Sequence, residues 1–178
     1  MFRAAFAAAA VSFLSLPALA GPDAEALIAK AAADIADPVR GEAVFTETID
    51  VPTVARFSLG KHARTISADE QTRFTEAFRL FLAGTFRDNA DKFSGARVDV
   101  VGSKDRSPTD SIVETRITRK DEEPMTVHWR VVMRNGEWRV VDVEVLGLWL
   151  AIEQRAQIAA ILDRPRATID DAIAALKG

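Results

Sequence analysis

The chain has 178 residues, with 23 Lys and Arg against 26 Asp and Glu, two His, ten Phe, no Tyr and no Cys. The missing cysteine excludes disulfides, a thiolate nucleophile, cysteine-based metal sites and a lipid-modified cysteine at a processed N-terminus. The weakly acidic balance, with both signs interspersed and no basic tract, argues against a nucleic-acid partner, and His62 and His128 alone do not supply a histidine-rich metal site.

The first segment is an address rather than a fold. Residues 1–20, MFRAAFAAAAVSFLSLPALA, place Arg3 before a short apolar run and end on Ala18-Leu19-Ala20. This predicts a secretory signal peptide cleaved after Ala20 and hence an exported protein. The run is too short for a stable membrane span. Cleavage leaves 158 residues, the size of one domain (21–178), in which 22 basic residues face 26 acidic ones because Arg3 has gone. An exported domain without disulfides must build a sufficient core of its own.

Helices come first in the mature chain. Residues 22–36 place Leu27, Ile28, Ala31 and Ile35 on one face. A short helical segment starts near Pro52, suited to a first turn, and stops at Gly60. The long helix opens on a capping box, Ser67 with Glu70, and is expected to close at Gly95. Between them Phe74, Ala77, Phe78, Phe81, Leu82, Phe86 and Phe93 cover about half the circumference, more than one flat sheet needs. A curved sheet wrapping the helix and a ligand on one flank both account for that width. Asp88, Asp91 and Lys92 read as its solvated face or as a docking contact.

Strand patterning takes over after Gly95. ARVDVVG and SIVETRITRK alternate, with the turn cluster DRSPTDS between them. In MTVHWRVVMRNGEWRVVDVEVL, Asn135-Gly136 suits a two-residue hairpin turn, since both residues tolerate positive φ. Strict pairing from that turn sets Met133 opposite Trp138, Val131 opposite Val140, Trp129 opposite Asp142 and Val127 opposite Glu144. One side then carries Met125, Val127, Trp129, Val131, Met133, Trp138 and Val140. The other carries Thr126, His128, Arg130, Arg134, Glu137 and Arg139.

The stretch LGLWLAIEQRAQIAAIL, Leu146 to Leu162, follows. Wound as a helix from Leu148, it is apolar over most of its circumference, as if covered from two directions. Pro165 ends it, and Thr168 with Asp171 caps a last helix carrying Ile169, Ile173 and Leu176. Helices, then antiparallel strands, then helices indicate an α+β fold.

Two segments, ARFSLGKHARTISADEQTRFTEAFRLFLAGTF and GEWRVVDVEVLG followed by LWLAIEQRAQIAAIL, together resemble the MlaC, or toluene-tolerance, family of periplasmic phospholipid-binding proteins. The resemblance runs from about Ile49 to Leu162. It rests on Leu59-Gly60, the spacing Gln71-x-x-Phe74-x-x-x-Phe78, Trp138 with Val140 and Asp142, Gly147, and Arg155 with Gln157. It departs from the family at Ala63, Phe86, Trp149, Gln154 and Ile158, several of them in the helix expected to line a pocket. The resemblance implies a curved antiparallel sheet related to the nuclear-transport-factor roll, packed with N- and C-terminal helices. It also implies a carrier, acting as a monomer, that shuttles glycerophospholipid between outer and inner membranes to maintain outer-membrane lipid asymmetry. The implied partners are an outer-membrane lipoprotein complex and an inner-membrane ABC transporter with a lipid-binding ring subunit. No cofactor is implied beyond bound phospholipid as cargo.

Lipid carriage gives the doubly apolar helix a reason. Two acyl chains carry about thirty methylenes at roughly 0.8 kcal/mol each, so exposing them costs on the order of 20 kcal/mol. The expected lining comprises Phe74, Phe78, Phe81 and Phe86 of the long helix, Val127, Trp129, Val131 and Val140 of the hairpin, and Leu148, Trp149 and Ile152. Taken singly, each of these side chains serves a solid core as well as a hollow one. Asp142, set among apolar neighbours, needs a partner. A cation, Arg155 being one candidate, or a helix N-terminus would supply it. Alternatively Asp142 is the general base of a small roll-fold enzyme in the manner of ketosteroid isomerases, with Glu144 as partner acid, although the chain has no tyrosine to donate. A third reading is a periplasmic adaptor that binds protein through the apolar surplus.

Overall fold

The computed structural model describes residues 21–35, 37, 40–90 and 95–177. The expected signal segment, together with Asp91, Lys92 and Phe93, lies outside the described residues. In chain order the elements are helices α1 (Gly21–Ile35), α2 (Gly41–Thr48) and α3 (Val51–Leu59), a 3-10 turn over Gly60–Arg64, and α4 (Ala68–Asp88). Strands β1 (Arg97–Ser107), β2 (Asp110–Thr118), β3 (Met125–Arg134), β4 (Glu137–Val145) and β5 (Leu148–Trp149) follow, then α5 (Leu150–Leu162) and α6 (Ile169–Lys177). The strands form one curved, unclosed antiparallel sheet in the order β1-β2-β3-β4-β5, so the α+β class and its arrangement of helices are as the sequence indicated.

Local chemistry explains most boundaries. Asp50 caps α3 by accepting from the Thr53 N–H at 3.1 Å, with Pro52 in the first turn, and Gly60 closes the helix at φ 56. At the start of α4 the Ser67 hydroxyl accepts from the Glu70 N–H while the Glu70 carboxylate accepts from the Ser67 N–H at 2.8 Å, the expected capping box. At α6 the Asp171 carboxylate takes both the N–H and the hydroxyl of Thr168.

Several boundaries differ from the sequence expectation. The long helix ends at Asp88 rather than near Gly95, because Asn89 caps it and donates its side-chain amide to the Thr85 carbonyl at 2.7 Å. Helix α2 was not expected, since eight residues, GEAVFTET, give too few turns for a readable period. Most of DRSPTDS is strand: β1 continues through Ser107, and only Pro108 and Thr109 make the turn. Leu146 and Gly147, at φ 53 and 81, form a second tight hairpin turn, so Leu148 and Trp149 pair with β4 before the helix begins.

The most consequential difference is one residue in β4. Met133 faces Trp138 and Val131 faces Val140 as expected, but a bulge between Arg130 and Val131 gives β4 an extra residue at Val141. Asp142 therefore lies opposite Arg130, Val143 opposite Trp129, and Val145 opposite Val127, in place of the expected Trp129–Asp142 and Val127–Glu144 pairs. The physical reason is legible afterwards. Strict alternation would turn Asp142 and Glu144 toward the packed face, whereas one inserted residue turns Val143 and Val145 there instead.

Apolar burial falls into two clusters. In one, Ala24 and Ile28 of α1 pack on Val113, Val131 and Val140 of the sheet. In the other, Val51, Ala55 and Leu59 of α3, Phe74 and Phe78 of α4, Ile158 of α5 and Ile169, Ile173 and Leu176 of α6 form a helical core. Ile49 touches both, and the Asp50 N–H donates to the Val140 carbonyl at 2.8 Å, pinning the α2–α3 link to β4.

Candidate functional site

At the seam between the two clusters a cavity of about 300 Å³ lies open. Phe45 of α2, Ile49, Val54 of α3, and Phe78, Phe81 and Leu82 of α4 form one wall, with Val140 to Val143 of β4 facing them. The N-terminal turn of α5 closes the end with Leu150 and Ala151. Thr85, Glu153 and Gln157 are exposed at the rim, whereas Val54, Phe78, Val140 and Ala151 are buried in the floor. A second gap of about 40 Å³ lies beneath α1, lined by Ile28, Ile35, Val98 and Trp129. Phe45, Ile49 and Val140 line both spaces and form the partition between them.

The residues expected at the lining are divided by this geometry. Phe78, Phe81 and Val140 meet at the cavity, together with Asp142. Phe74 is fully buried in the helical core, its ring 6.1 Å from that of Phe78. Phe86 stacks on Phe45 at 5.2 Å, behind the partition. Val131 belongs to the α1 core, Val127 is buried in the sheet, and Trp129 reaches the smaller gap while its indole N–H donates to the Thr115 hydroxyl at 2.9 Å. Trp149 lies in a separate groove beside His128 and Glu144, and Leu148 and Ile152 are 55% and 52% exposed. Sequence reasoning missed Phe45, Ile49, Leu82, Val141, Val143 and Leu150 at the cavity. The signal for β4 was the apolar order Val140, Val141, Val143, Val145, which strict alternation cannot satisfy. For α2 it was Phe45 four residues before Ile49.

Helix α5 is covered as its circumference suggested, with a difference. Ala151 and Ile158 are buried, Leu150 and Ala151 border the cavity, and Ile152 faces outward. Core, hollow and surface each take a share of the apolar surface.

Asp142, turned off the packed face by the bulge, borders the cavity at its α5 end. Its Oδ1 accepts from the Val143 N–H and from the Ala151 N–H, both at 2.9 Å, so it caps α5, whose N-cap residue, Trp149, offers no side-chain cap. The expected helix N-terminus is therefore its partner. Arg155 is not: its guanidinium lies 5.0 Å from the Phe57 ring centroid, on another side of α5. Burial pushes the Asp142 carboxyl above the usual range, opposed by the two backbone N–H groups and by Arg130 across the strand. Arg130 is itself committed to Asp110 at 2.9 Å. His128 stands between Glu114 and Glu144 at 3.6 Å from each, and His62 meets Asp163 at 2.8 Å. Among the described residues no group of His, Asp and Glu could hold a metal ion, and no helix is long and apolar enough to cross a membrane. What the cavity offers chemically is an apolar bed with a polar rim.

The profile of the family described as MlaC protein matches residues 28–178. A solved structure from Ralstonia solanacearum, a phospholipid-binding protein in complex with a phospholipid, superimposes with a TM-score of 0.74 over 87% of this chain and 95% of that one, at 17% identity. Among curated proteins none matches the chain. With the profile matching from within α1 to the last residue, and with the sheet and helices arranged as described, the chain belongs to the MlaC family.

Proposed function

We propose that this protein is a periplasmic phospholipid carrier, exported behind a signal peptide cleaved after Ala20. In this reading it shuttles glycerophospholipid between an outer-membrane lipoprotein complex and an inner-membrane ABC transporter. The observation that carries the reading is the apolar cavity left open at the seam between two hydrophobic cores, where folding alone would favour closure. Family membership and the phospholipid held by the Ralstonia protein support the choice of ligand.

At about 300 Å³ the space is at the small end of ligand pockets, which run from about 300 to 1,000 Å³. Two acyl chains need more. The partition of Phe45, Ile49 and Val140 is where the space widens: swinging Phe45 and Ile49 away from β4 joins the cavity to the gap beneath α1. The headgroup then rests at the Thr85, Gln154 and Gln157 rim, in water. Phe78, Phe81 and Val140 contact the tails directly, while Trp129 borders the gap that the tails enter on widening. Asp142 holds the first turn of α5 in place, its Oδ1 accepting from two backbone N–H groups.

The test is direct. The exported protein is purified without detergent and extracted with organic solvent, and the extract is identified by mass spectrometry. Near-stoichiometric glycerophospholipid is expected, and a preparation free of lipid would overturn the reading.

A further inference from the structure

We infer that a basic groove on the outer side of α3 and α5 is the surface by which this protein docks on an acidic protein partner. The groove, about 560 Å³, is lined by Arg56 and Phe57 of α3, Lys61 and Arg64 of the 3-10 turn, Arg134 at the end of β3 and Arg155 of α5. Among the described residues no carboxylate lines it, in a chain whose formal net charge is −3. Lys61 is held by Asp163 at 2.8 Å, and Arg134 faces Asp50 at 3.5 Å. Arg56, Arg64 and Arg155 form no ion pair among the described residues. Gathering like charges from four elements into one recess works against folding, so the fold alone gives no reason for it.

Arg155 shows how the groove is built. Its guanidinium rests near the Phe57 ring and against Gly60, where an added Cβ would come within 3.1 Å of Nε. Gly60, at φ 56, thus serves both the turn and the close approach. The planar donors of Arg155 are fixed in place and not spent on any carboxylate, an arrangement suited to an incoming one.

Geometry selects the occupant. The groove shares no lining residue with the apolar cavity, from which the packed α3–α5 pair separates it, so it does not receive the headgroup of a lipid seated there. It is concave, and Phe57, 39% exposed, carries Arg155 over it instead of projecting as a wedge, which suits a protruding carboxylate-bearing segment better than a flat bilayer. Charge-led docking associates quickly and releases readily, as a shuttle requires. On the carrier reading, on which this point rests, docking also bears on the cavity, since the same two helices supply Val54, Leu150 and Gln154 to its walls.

A fluorescently labelled oligoglutamate peptide, titrated into the full exported protein and followed by anisotropy, tests the inference. Saturable binding is expected at low salt. It should weaken at least about tenfold in Arg56→Glu/Arg64→Glu and about tenfold on raising salt from about 0.05 to 0.5 M. The neutral pair Arg56→Gln/Arg64→Gln should fall between, with lipid content and melting temperature unchanged in both. Equal binding by the charge-reversed variant overturns the proposal. So does tighter binding of the wild type to phosphatidylglycerol vesicles than to the peptide, which would make the surface membrane-facing, or displacement of the peptide by equimolar inorganic phosphate, which would make it a small-anion site. Lipid-loaded protein that ignores the peptide sinks the groove alone, and lipid-free protein that binds it sinks the carrier alone.

Discussion

The two sides of strand β4 make the most instructive contrast in the molecule. Toward α1 the sheet is closely covered where Ala24 and Ile28 meet Val113, Val131 and Val140, leaving about 40 Å³ beneath the helix, while a solvent-open, polar-rimmed groove of about 560 Å³ runs outside it past Asp23, Lys30, Glu47 and Trp138. Toward α4 and α5 the same strand faces about 300 Å³ of open space, although Phe78, Phe81 and Leu82 are larger and no less apolar. Lining chemistry does not separate the two sides; the distance at which the backbones are held does. Alanines let α1 come down on the sheet. Helix α4 is instead fixed by other helices, with Phe74 and Phe78 in the helical core, Phe86 stacked on Phe45, and Arg87 paired with Glu42 at 2.9 Å. A helix anchored to its neighbours need not descend onto the sheet it faces, and the gap remains.

The sharpest way to break the contrast is to truncate one side chain on each side. Phe78→Ala should cost about 3–5 kcal/mol and Ile28→Ala about 2–5 kcal/mol by chemical denaturation, since both are buried to within 3%. Only the first should alter the amount or chain length of extracted lipid, and a matching change in Ile28→Ala would mean that the α1 side is not closely covered in solution. Filling rather than emptying gives the next effect. Leu82→Trp, at a half-buried wall position, should cut bound lipid about tenfold with little loss of stability, because the added volume enters existing space. Unchanged lipid content in that variant would place the tails elsewhere.

The smallest expected effect concerns Asp142. Burial raises its pKa in the folded state, so the folded protein holds this proton more tightly than the unfolded chain. Its favourable contribution is complete below the ordinary carboxylate pKa of 3.8 and disappears as pH rises through the higher folded value. Asp142→Asn keeps an oxygen for the Ala151 N–H and removes the charge. Its stability relative to wild type should therefore improve from pH 3 toward pH 7, as followed by melting temperature across about four pH units. A difference that stays flat with pH would show that water reaches the carboxylate freely.

Much of the architecture could be read residue by residue. The Ser67–Glu70 box, Asn135-Gly136 with the first two hairpin pairs, and the Thr168–Asp171 cap are local chemistry, settled within a few residues of chain. What misled was equally specific. The bulge at Val141 moved Asp142 and Glu144 by one register position, and α2 was too short to show a period. As a result most of the cavity wall, Phe45, Ile49 and Val143 included, was not in the expected set.

The sequence by itself determined the α+β order of elements, the family signature in the long helix and the C-terminal hairpin, and a surplus of apolar side chains. Spacing and capping carry those properties, and they act over a few residues. Only the tertiary structure decided whether the surplus became core or cavity, because that depends on how closely two backbones far apart in sequence approach each other. Phe74 and Phe78 are neighbours on one helix face, yet the first lies wholly in the helical core and the second also borders the hollow. Likewise, no spacing rule joins Arg56, Arg134 and Arg155; packing of α3, β3 and α5 alone brings their charges to one groove.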